Sequence, residues 1–293
     1  MPELPEVETV RRGLAPVLVG SRVAKLDARR PDLRFPLPEQ FARRVAGQKI
    51  VGLERRAKYL IARLSGGEDL VMHLGMTGRF SIIHDGHVDR PGDYIHETGP
   101  DPAHDHVVLH LSDGTQVVYN DPRRFGFMVM MPHELRGEHA LFRKLGVEPL
   151  SDELTAQYLA SRALGKKVNL KAFLMDQHVI AGLGNIYVSE ALYQARLSPD
   201  RAASSLATAR GASTDKAVRL VAAIKDVLER AIAAGGSTLR DYRAADGQKG
   251  AFQERFSVYD REDTACSTGN CKGKIRRAVH SGRATFYCPR CQR

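Results

Sequence analysis

The spacing of apolar residues changes twice along this chain. Near the start, Val7, Val10, Leu14 and Val17 recur at helical spacing and form one stripe of a 3.6-residue period. Pro5 suits a first helical turn, where its missing N–H costs nothing, and Glu8 and Arg12 form an i,i+4 pair. A helix over about 5–18 follows, pinned to a core by its Val/Leu stripe. From 21 to 130 the pattern reads as β. Candidate strands are KIVGLE, YLIARLS, DLVMHLG, RFSIIH, HVVLHLS and TQVVYN, and Asp113-Gly114 between the last two is a hairpin signal. Beyond Met131 the pattern turns helical. HELRGEHALFRKLG predicts a short amphipathic helix, and GVEPLSDELT a connector with an N-cap at Ser151. A segment around LKAFLMD, a turn and NIYVSEALYQA come next. A long helix over 214–233 then carries Ala217, Leu220, Val221, Ile224, Val227, Leu228 and Ile232 on one face, and Gly235-Gly236 ends it.

The pattern places a β-rich N-terminal domain ahead of a helical one, with the cut near 135–150. The length of 293 residues suits about two domains. No apolar run approaches the ~18 residues of a membrane span. Glu3, Glu6 and Glu8 stand where a signal peptide would carry basic residues, so the expected location is the cytoplasm, in association with the nucleoid. A net charge of +10 favours a polyanionic partner, nucleic acid first. The charge is concentrated at the end. From Cys266 to Arg293 there are seven Lys or Arg and no Asp or Glu.

That tail also holds all four cysteines, Cys266, Cys271, Cys288 and Cys291, spaced C-x4-C-x16-C-x2-C. Two close pairs in a cytosolic chain read as a tetrahedral zinc site. Four thiolates leave no open position, so one structural Zn²⁺ is expected, holding a fold and performing no chemistry. A polar stretch from Asp85 to Asp105 contains His87, His96 and His104 and is flanked by His84 and His106. Their irregular spacing reads as solvated loop histidines rather than as a metal site.

Six motifs in order, PELPEVE at 2–8, RRAKYL at 55–60, HLGMTG at 73–78, NDPRRFG at 120–126, GLGNIYVSEALY at 182–193 and RATFYC before the last Cys pair, resemble those of the bacterial formamidopyrimidine-DNA glycosylases. The resemblance covers the whole chain. It departs at the first Cys pair, where four intervening residues replace the family's usual two, and in the 85–105 loop, which is longer than usual. It implies an α+β fold, with an N-terminal catalytic β-sandwich-like domain with flanking helices over 1–135 and a linker over 136–150. A helix–two-turn–helix DNA-binding domain with a lesion loop would cover 151–260, and a four-cysteine zinc-finger β-hairpin 261–293.

The resemblance also assigns chemistry. An α-amine titrates near 8 and a lysine near 10.4, so at pH 7 about one α-amine in ten is neutral. With Met1 removed, Pro2 offers such an amine as a nucleophile for C1′ of a damaged nucleotide. With Met1 retained, its nitrogen is an amide and cannot attack. Glu3 would protonate the opening sugar, Glu6 would orient the terminus or a water, and Lys58 would contact phosphate and the lesion site from a hairpin. Read without the resemblance, Glu3 and Glu6 only complement a helix dipole. His73 would touch phosphate. Met76, Arg123 and Phe125 match the wedge that fills the hole left by an extruded base. Asn185 at a helix start, Lys171 on the helix before it, Tyr259 and Arg283 of the finger would hold the backbone. The stretch 238–252 corresponds to the family's lesion loop. The expected partner is duplex DNA containing oxidised purines such as 8-oxoguanine and formamidopyrimidines, bound by a monomer. Two rival readings are a glycosylase for oxidised pyrimidines, resembling endonuclease VIII, and a non-enzymatic zinc-containing DNA binder.

Overall fold

The computed structural model describes residues 2–92, 101–237, 252 and 255–293. Its contacts divide the chain into two compact units. One comprises residues 2–143 with 234–237, and the other 144–233 with 252 and 255–293.

The first unit is a two-sheet sandwich with a helix at its start. Helix α1 runs Leu4–Leu18 behind a capping box, in which the Glu3 side chain accepts from the Glu6 N–H and the Glu6 side chain from the Glu3 N–H. Strands β1 (Val23–Ala28), β5 (Arg79–His84), β6 (His87–Asp89), β7 (Asp105–Leu111) and β8 (Gln116–Asn120) form one sheet in the order β1-β7-β8-β5-β6. Strands β2 (Ile50–Arg56), β3 (Tyr59–Leu64), β4 (Glu68–His73) and β9 (Phe127–Pro132) form the other in that order, and every pairing is antiparallel. Val7, Val10 and Leu14 of α1 share one core with Leu26, Leu109 and Val117 of the first sheet and Leu53, Leu60 and Leu70 of the second. Each such side chain, fully buried, contributes about 1.5–3 kcal/mol. The helical stripe seen in the sequence therefore glues the N-terminus to both sheets. A five-residue helix α2 (Phe41–Val45) packs beside β1.

All six candidate strands are present, and β7 and β8 pair across Asp113-Gly114 with Leu109 opposite Val117. Three strands of this unit lie outside those six segments, β1, β9 and the three-residue, fully exposed β6. In β1 only Val23 and Leu26 are buried, which is too sparse for a period of two. β9 is apolar on both faces and its partner β4 is distant in sequence. The helix expected over 133–146 is a single 3-10 stretch, His133–Glu138, with no buried residue. Its Leu135 is 52% exposed. The segment is held instead by polar bonds, because buried Asp69 draws in His133 at 3.1 Å and Arg136 at 3.0 Å. His106, grouped with the solvated loop histidines, is buried on β7 with Nε2 2.9 Å from the Asp121 carbonyl. His96 and 238–251 of the lesion-loop stretch lie outside the described residues.

The second unit is helical. Helices α3 (Ala156–Ala163), α4 (Leu170–Met175), α5 (Asn185–Gln194) and α6 (Asp215–Ala233) are followed by the hairpin β10 (Arg276–His280) and β11 (Arg283–Tyr287). The N-cap of the first helix is Thr155, which accepts from the Tyr158 N–H at 3.0 Å. Ser151, expected in that role, forms an earlier turn with Glu148 and Glu153. On α6, Ala223 and Ala231 complete the buried face, and Val221 and Ile232 lie at its margin. Helix α5 is buried from Ile186 to Tyr193, on every side. Among the described residues no helix is long and apolar enough to cross a membrane.

Candidate active site and nucleic-acid interface

The N-terminus is built around Glu6. Pro2 and Glu3 are buried ahead of α1. Glu6 is 2% exposed. One of its carboxylate oxygens accepts from the Glu3 N–H at 2.8 Å, and the other accepts from the Ser237 N–H at 2.7 Å and the Ser237 hydroxyl at 2.9 Å. The peptide that joins Pro2 to Glu3 is thereby fixed at its N–H. Only glycine suits position 236, where φ is +88° and an added Cβ would meet Glu6 Oε1 at 3.1 Å. Two residues after Glu6, Glu8 takes Arg11 at 2.8 Å, Arg12 at 2.9 Å and Arg55 at 3.2 Å. Burial pushes the Glu8 carboxyl up, but the hydrogen bonds from Arg11 and Arg12 and the charges of Arg11 and Arg55 outweigh it and hold the pKa low. The Arg55 bond ties α1 to the end of β2.

Lys58 sits immediately beyond, in the two-residue turn between β2 and β3, where Ala57 adopts φ +52°. Lys58 is 9% exposed. His73 ends β4. Its Nδ1 accepts from the Gly75 N–H at 3.0 Å, and its ring stacks on Phe127 at 5.1 Å with 10° between planes. Burial first, then the charges of Lys58 and Arg34, pull its pKa down to about 4. At neutral pH the ring is uncharged, and because Nδ1 accepts, the proton resides on Nε2. His73 therefore carries one neutral N–H donor, at Nε2.

Met76, Arg123 and Phe125 are brought together by two loops, one between β4 and β5 and one between β8 and β9. Buried Asp121 joins them. One of its oxygens accepts from the Thr77 hydroxyl. The other accepts from the Gly126 N–H at 2.8 Å and the Tyr119 hydroxyl at 3.3 Å. Thr77 Oγ1 in turn accepts from the Arg123 N–H at 3.3 Å. At Gly75, with φ +61°, a Cβ would collide with the Phe125–Gly126 backbone. Gly75 of HLGMTG and Gly126 of NDPRRFG let these loops touch backbone to backbone. Outside that anchor Arg123 and Phe125 are exposed, Phe125 by 43%, with the guanidinium 4.7 Å over the ring. Met76 is half-buried.

In the helical unit, Gly184 caps α5 and Asn185 is its first residue. The Asn185 amide donates to the Ala284 carbonyl of β11 at 3.0 Å, tying the helix start to the hairpin. Lys171 departs from the expected phosphate contact. It is fully buried, and its ammonium donates to the Asn185 carbonyl at 3.0 Å and to Ser189 at 2.6 Å. Its charge lies beneath the helix start instead of on the surface. Arg283 is exposed at the hairpin tip, opposite His280 across the two-residue turn Ser281-Gly282, and both turn residues have positive φ. His280 is held by Asp200 at 2.6 Å and Thr285 at 2.9 Å. Tyr259 is half-buried, with its ring edge-on to Phe286 at 5.2 Å.

Sequence reasoning missed Glu190 and Asp121. Glu190 accepts from the N–H groups of Ser257, Val258 and Tyr259 at 2.8, 3.0 and 2.8 Å and so fixes the segment that carries Tyr259. An acid inside an otherwise apolar helix pattern was the available signal. Asp121 sat inside a recognised motif, but its partners are loops far apart in sequence.

The four cysteine sulfurs lie within 4.8 Å of one another, with Cys266–Cys291 at 3.7 Å and Cys271–Cys288 at 3.8 Å. Four ligands about 2.3 Å from a tetrahedral Zn²⁺ stand about 3.8 Å apart, so the set fits one structural zinc ion. Among the described residues no other group of three or more His, Cys, Asp or Glu could hold a metal. Gly273 leaves room for the knuckle, since a Cβ there would come 2.8 Å from Cys288 Sγ. The four residues between Cys266 and Cys271 do not prevent closure.

Three family models match in order. They are the formamidopyrimidine-DNA glycosylase N-terminal domain over residues 1–128, its H2TH domain over 145–243, and the zinc finger found in FPG and IleRS over 269–293. The last begins after Cys266, so that ligand is assigned by geometry. A formamidopyrimidine-DNA glycosylase of Azorhizobium caulinodans is 54% identical with complete coverage of both chains, and one of Bradyrhizobium sp. (strain BTAi1) is 55% identical over 294 residues, covering all of both. The Lactococcus lactis Fpg bound to DNA containing an abasic site superposes with a TM-score of 0.83 at 31% identity over all of both chains. MutM (Fpg) of Thermus thermophilus superposes at 0.79 and 39%, over 99% of this chain and 98% of that one. Fold, ordered motifs and full-length identity together place this chain in the formamidopyrimidine-DNA glycosylase family.

Proposed function

We propose that the chain is a bifunctional DNA glycosylase and AP lyase that excises oxidised purines from duplex DNA, acting as a monomer with one structural Zn²⁺. The observation that carries this reading is the buried Pro2-Glu3 start, whose first N–H is held by Glu6. A helix cap alone does not require a proline whose nitrogen becomes a free secondary amine once Met1 is removed.

That amine attacks C1′ of the lesion nucleotide. The N–C1′ bond forms, the glycosidic bond breaks with its electron pair going to the base, and the proton lost by the amine passes to the departing base. Glu3 gives a proton to the ring oxygen as the sugar opens, leaving a cationic iminium. The iminium acidifies C2′. Loss of that proton expels the 3′ phosphate, and a second elimination expels the 5′ phosphate. Hydrolysis of the remaining iminium returns the amine. Glu6 keeps the nucleophile's peptide in place. In the sandwich unit Lys58 and His73 hold the DNA backbone, and Met76, Arg123 and Phe125 occupy the gap left by the base; in the helical unit Asn185 and Arg283 bind the DNA backbone.

Borohydride trapping tests the reading. The processed protein should form a covalent adduct with a duplex carrying 8-oxoguanine opposite cytosine. The adduct should vanish in Pro2→Gly and in protein that keeps Met1. Processed protein that gives no adduct excludes the lyase reading, and stronger cleavage of thymine glycol than of 8-oxoguanine moves the substrate to oxidised pyrimidines.

A further inference from the structure

Three arginines stand on the segment between β1 and α2, and two of them have acidic partners. Arg29 lies 3.6 Å from Asp105, and Arg30 lies 3.8 Å from Asp32. Arg34 is exposed and pairs with no acid among the described residues. Its guanidinium carbon stands 5.5 Å over the ring of Phe35, which is itself 47% exposed.

The backbone beneath this pair is firmly held. The Arg34 N–H donates to the Gly126 carbonyl at 3.1 Å, and the Leu33 N–H to the Phe35 carbonyl at 3.0 Å. Phe35 packs edge-on against Phe127 at 5.3 Å and 62°, and Phe127 is the ring on which His73 stacks. One aromatic layer therefore supports both Arg34 and His73, and the Arg34 charge is felt at the imidazole. Gly126, which receives the Arg34 N–H, closes the loop that carries Arg123 and Phe125.

We propose that Arg34 is a further phosphate-binding residue of the DNA site, gripping the backbone beside His73 while Phe35 serves as the platform that holds its guanidinium flat. The inference rests on the reading of this chain as an enzyme of damaged DNA. A stabilising role explains Arg34 poorly. A guanidinium over an exposed ring contributes only about 0.5–1 kcal/mol, and its two neighbours show that acids are available on this surface. A phosphate needs a planar, always-charged fork, and the ring limits the rotamers that binding must freeze. The neutral His73 cannot displace a counterion, and Arg34 supplies that charge.

The test is binding of a duplex with a tetrahydrofuran abasic analogue, followed by anisotropy across a fourfold rise in salt. Removing one phosphate-neutralising charge lowers the slope of log K against log salt by about 0.9. Over that rise the wild type should lose roughly 3.5-fold more affinity than Arg34→Gln. Arg34→Lys keeps the slope and loses affinity, because it keeps the charge and loses the fork. Phe35→Ala also keeps the slope and loses affinity. Arg43→Gln, on α2, serves as reference and changes neither. A slope in Arg34→Gln equal to wild type overturns the inference, as does an equal fall in Arg43→Gln. Borohydride trapping by the same wild-type preparation on a duplex carrying 8-oxoguanine opposite cytosine separates this failure from a failure of the functional reading, because the tetrahydrofuran analogue has no leaving group at C1′ and serves for binding alone. The His73 ring, followed by NMR, should titrate higher in Arg34→Gln, which confirms the fold and the proximity without DNA.

Discussion

The protonation of His73 couples the proposed DNA site to stability. In the unfolded chain a histidine titrates near 6.5. In the fold His73 is held at about 4, by burial first and by the charges of Lys58 and Arg34 after it. Between these values the unfolded chain binds a proton that the folded chain refuses, so stability rises with pH through this window and is lost as pH falls from about 6.5 toward 4. The gap of about 2.5 units corresponds to about 3 kcal/mol in full, and about 2 kcal/mol of it is gone at pH 5. Solvent at the open edge of the ring reduces the loss at pH 5 to about 1–2 kcal/mol. His73→Gln removes the titration and keeps a neutral polar group. Urea unfolding of both proteins at pH 7 and pH 5 isolates the effect, because every other titrating group is common to both. The wild type should lose about 1–2 kcal/mol more than the variant on acidification. An equal loss in the two proteins would refute the buried neutral imidazole. The same variant should weaken DNA binding without changing its salt slope, since a neutral donor releases no counterion.

Other expectations follow from the anchors around the site. Asp121→Ala removes the acceptor shared by Thr77, Tyr119 and Gly126. It should cost about 3 kcal/mol in denaturant unfolding and lower lesion excision at least tenfold in single-turnover assays, while the zinc content stays at one per chain. Glu190→Ala deprives three backbone N–H groups of their shared carboxyl acceptor. A loss of about 3–5 kcal/mol is expected, with faster hydrogen exchange at Ser257, Val258 and Tyr259. Chelation should release one Zn²⁺ per chain in a colorimetric assay and abolish duplex binding, because the metal contributes about 10–16 kcal/mol to a finger of this kind. Retained binding by fully stripped protein would show that Arg283 needs no metal-held hairpin.

Much of the molecule was legible in the chain. The Val/Leu stripe of α1, the Asp-Gly hairpin and the six strands report local periodicity, which the backbone obeys wherever one face is buried. The zinc ligands were legible because a tetrahedral ion constrains residue type and spacing together. The 133–146 helix was not legible, because an apolar stripe predicts a helix only if something covers it. Here Asp69 holds the segment by charge and Leu135 stays in solvent. Lys171 shows the same limit at the site. Its position on the helix before the GLGN motif suggested contact with phosphate, and only packing shows its ammonium enclosed beneath Asn185.

The sequence by itself determined the elements, the metal-ligand set and the residue types able to do amine and phosphate chemistry, since those follow from spacing and from intrinsic pKa. Tertiary structure decided which charges face solvent and which are enclosed. It set the protonation of His73, the burial of Lys171, the Glu6–Ser237 anchor and the Asp121 link between the loops that carry Met76, Arg123 and Phe125. The physical reason is that desolvation and hydrogen bonding depend on what packs around a group, and those neighbours come from segments that no local pattern connects.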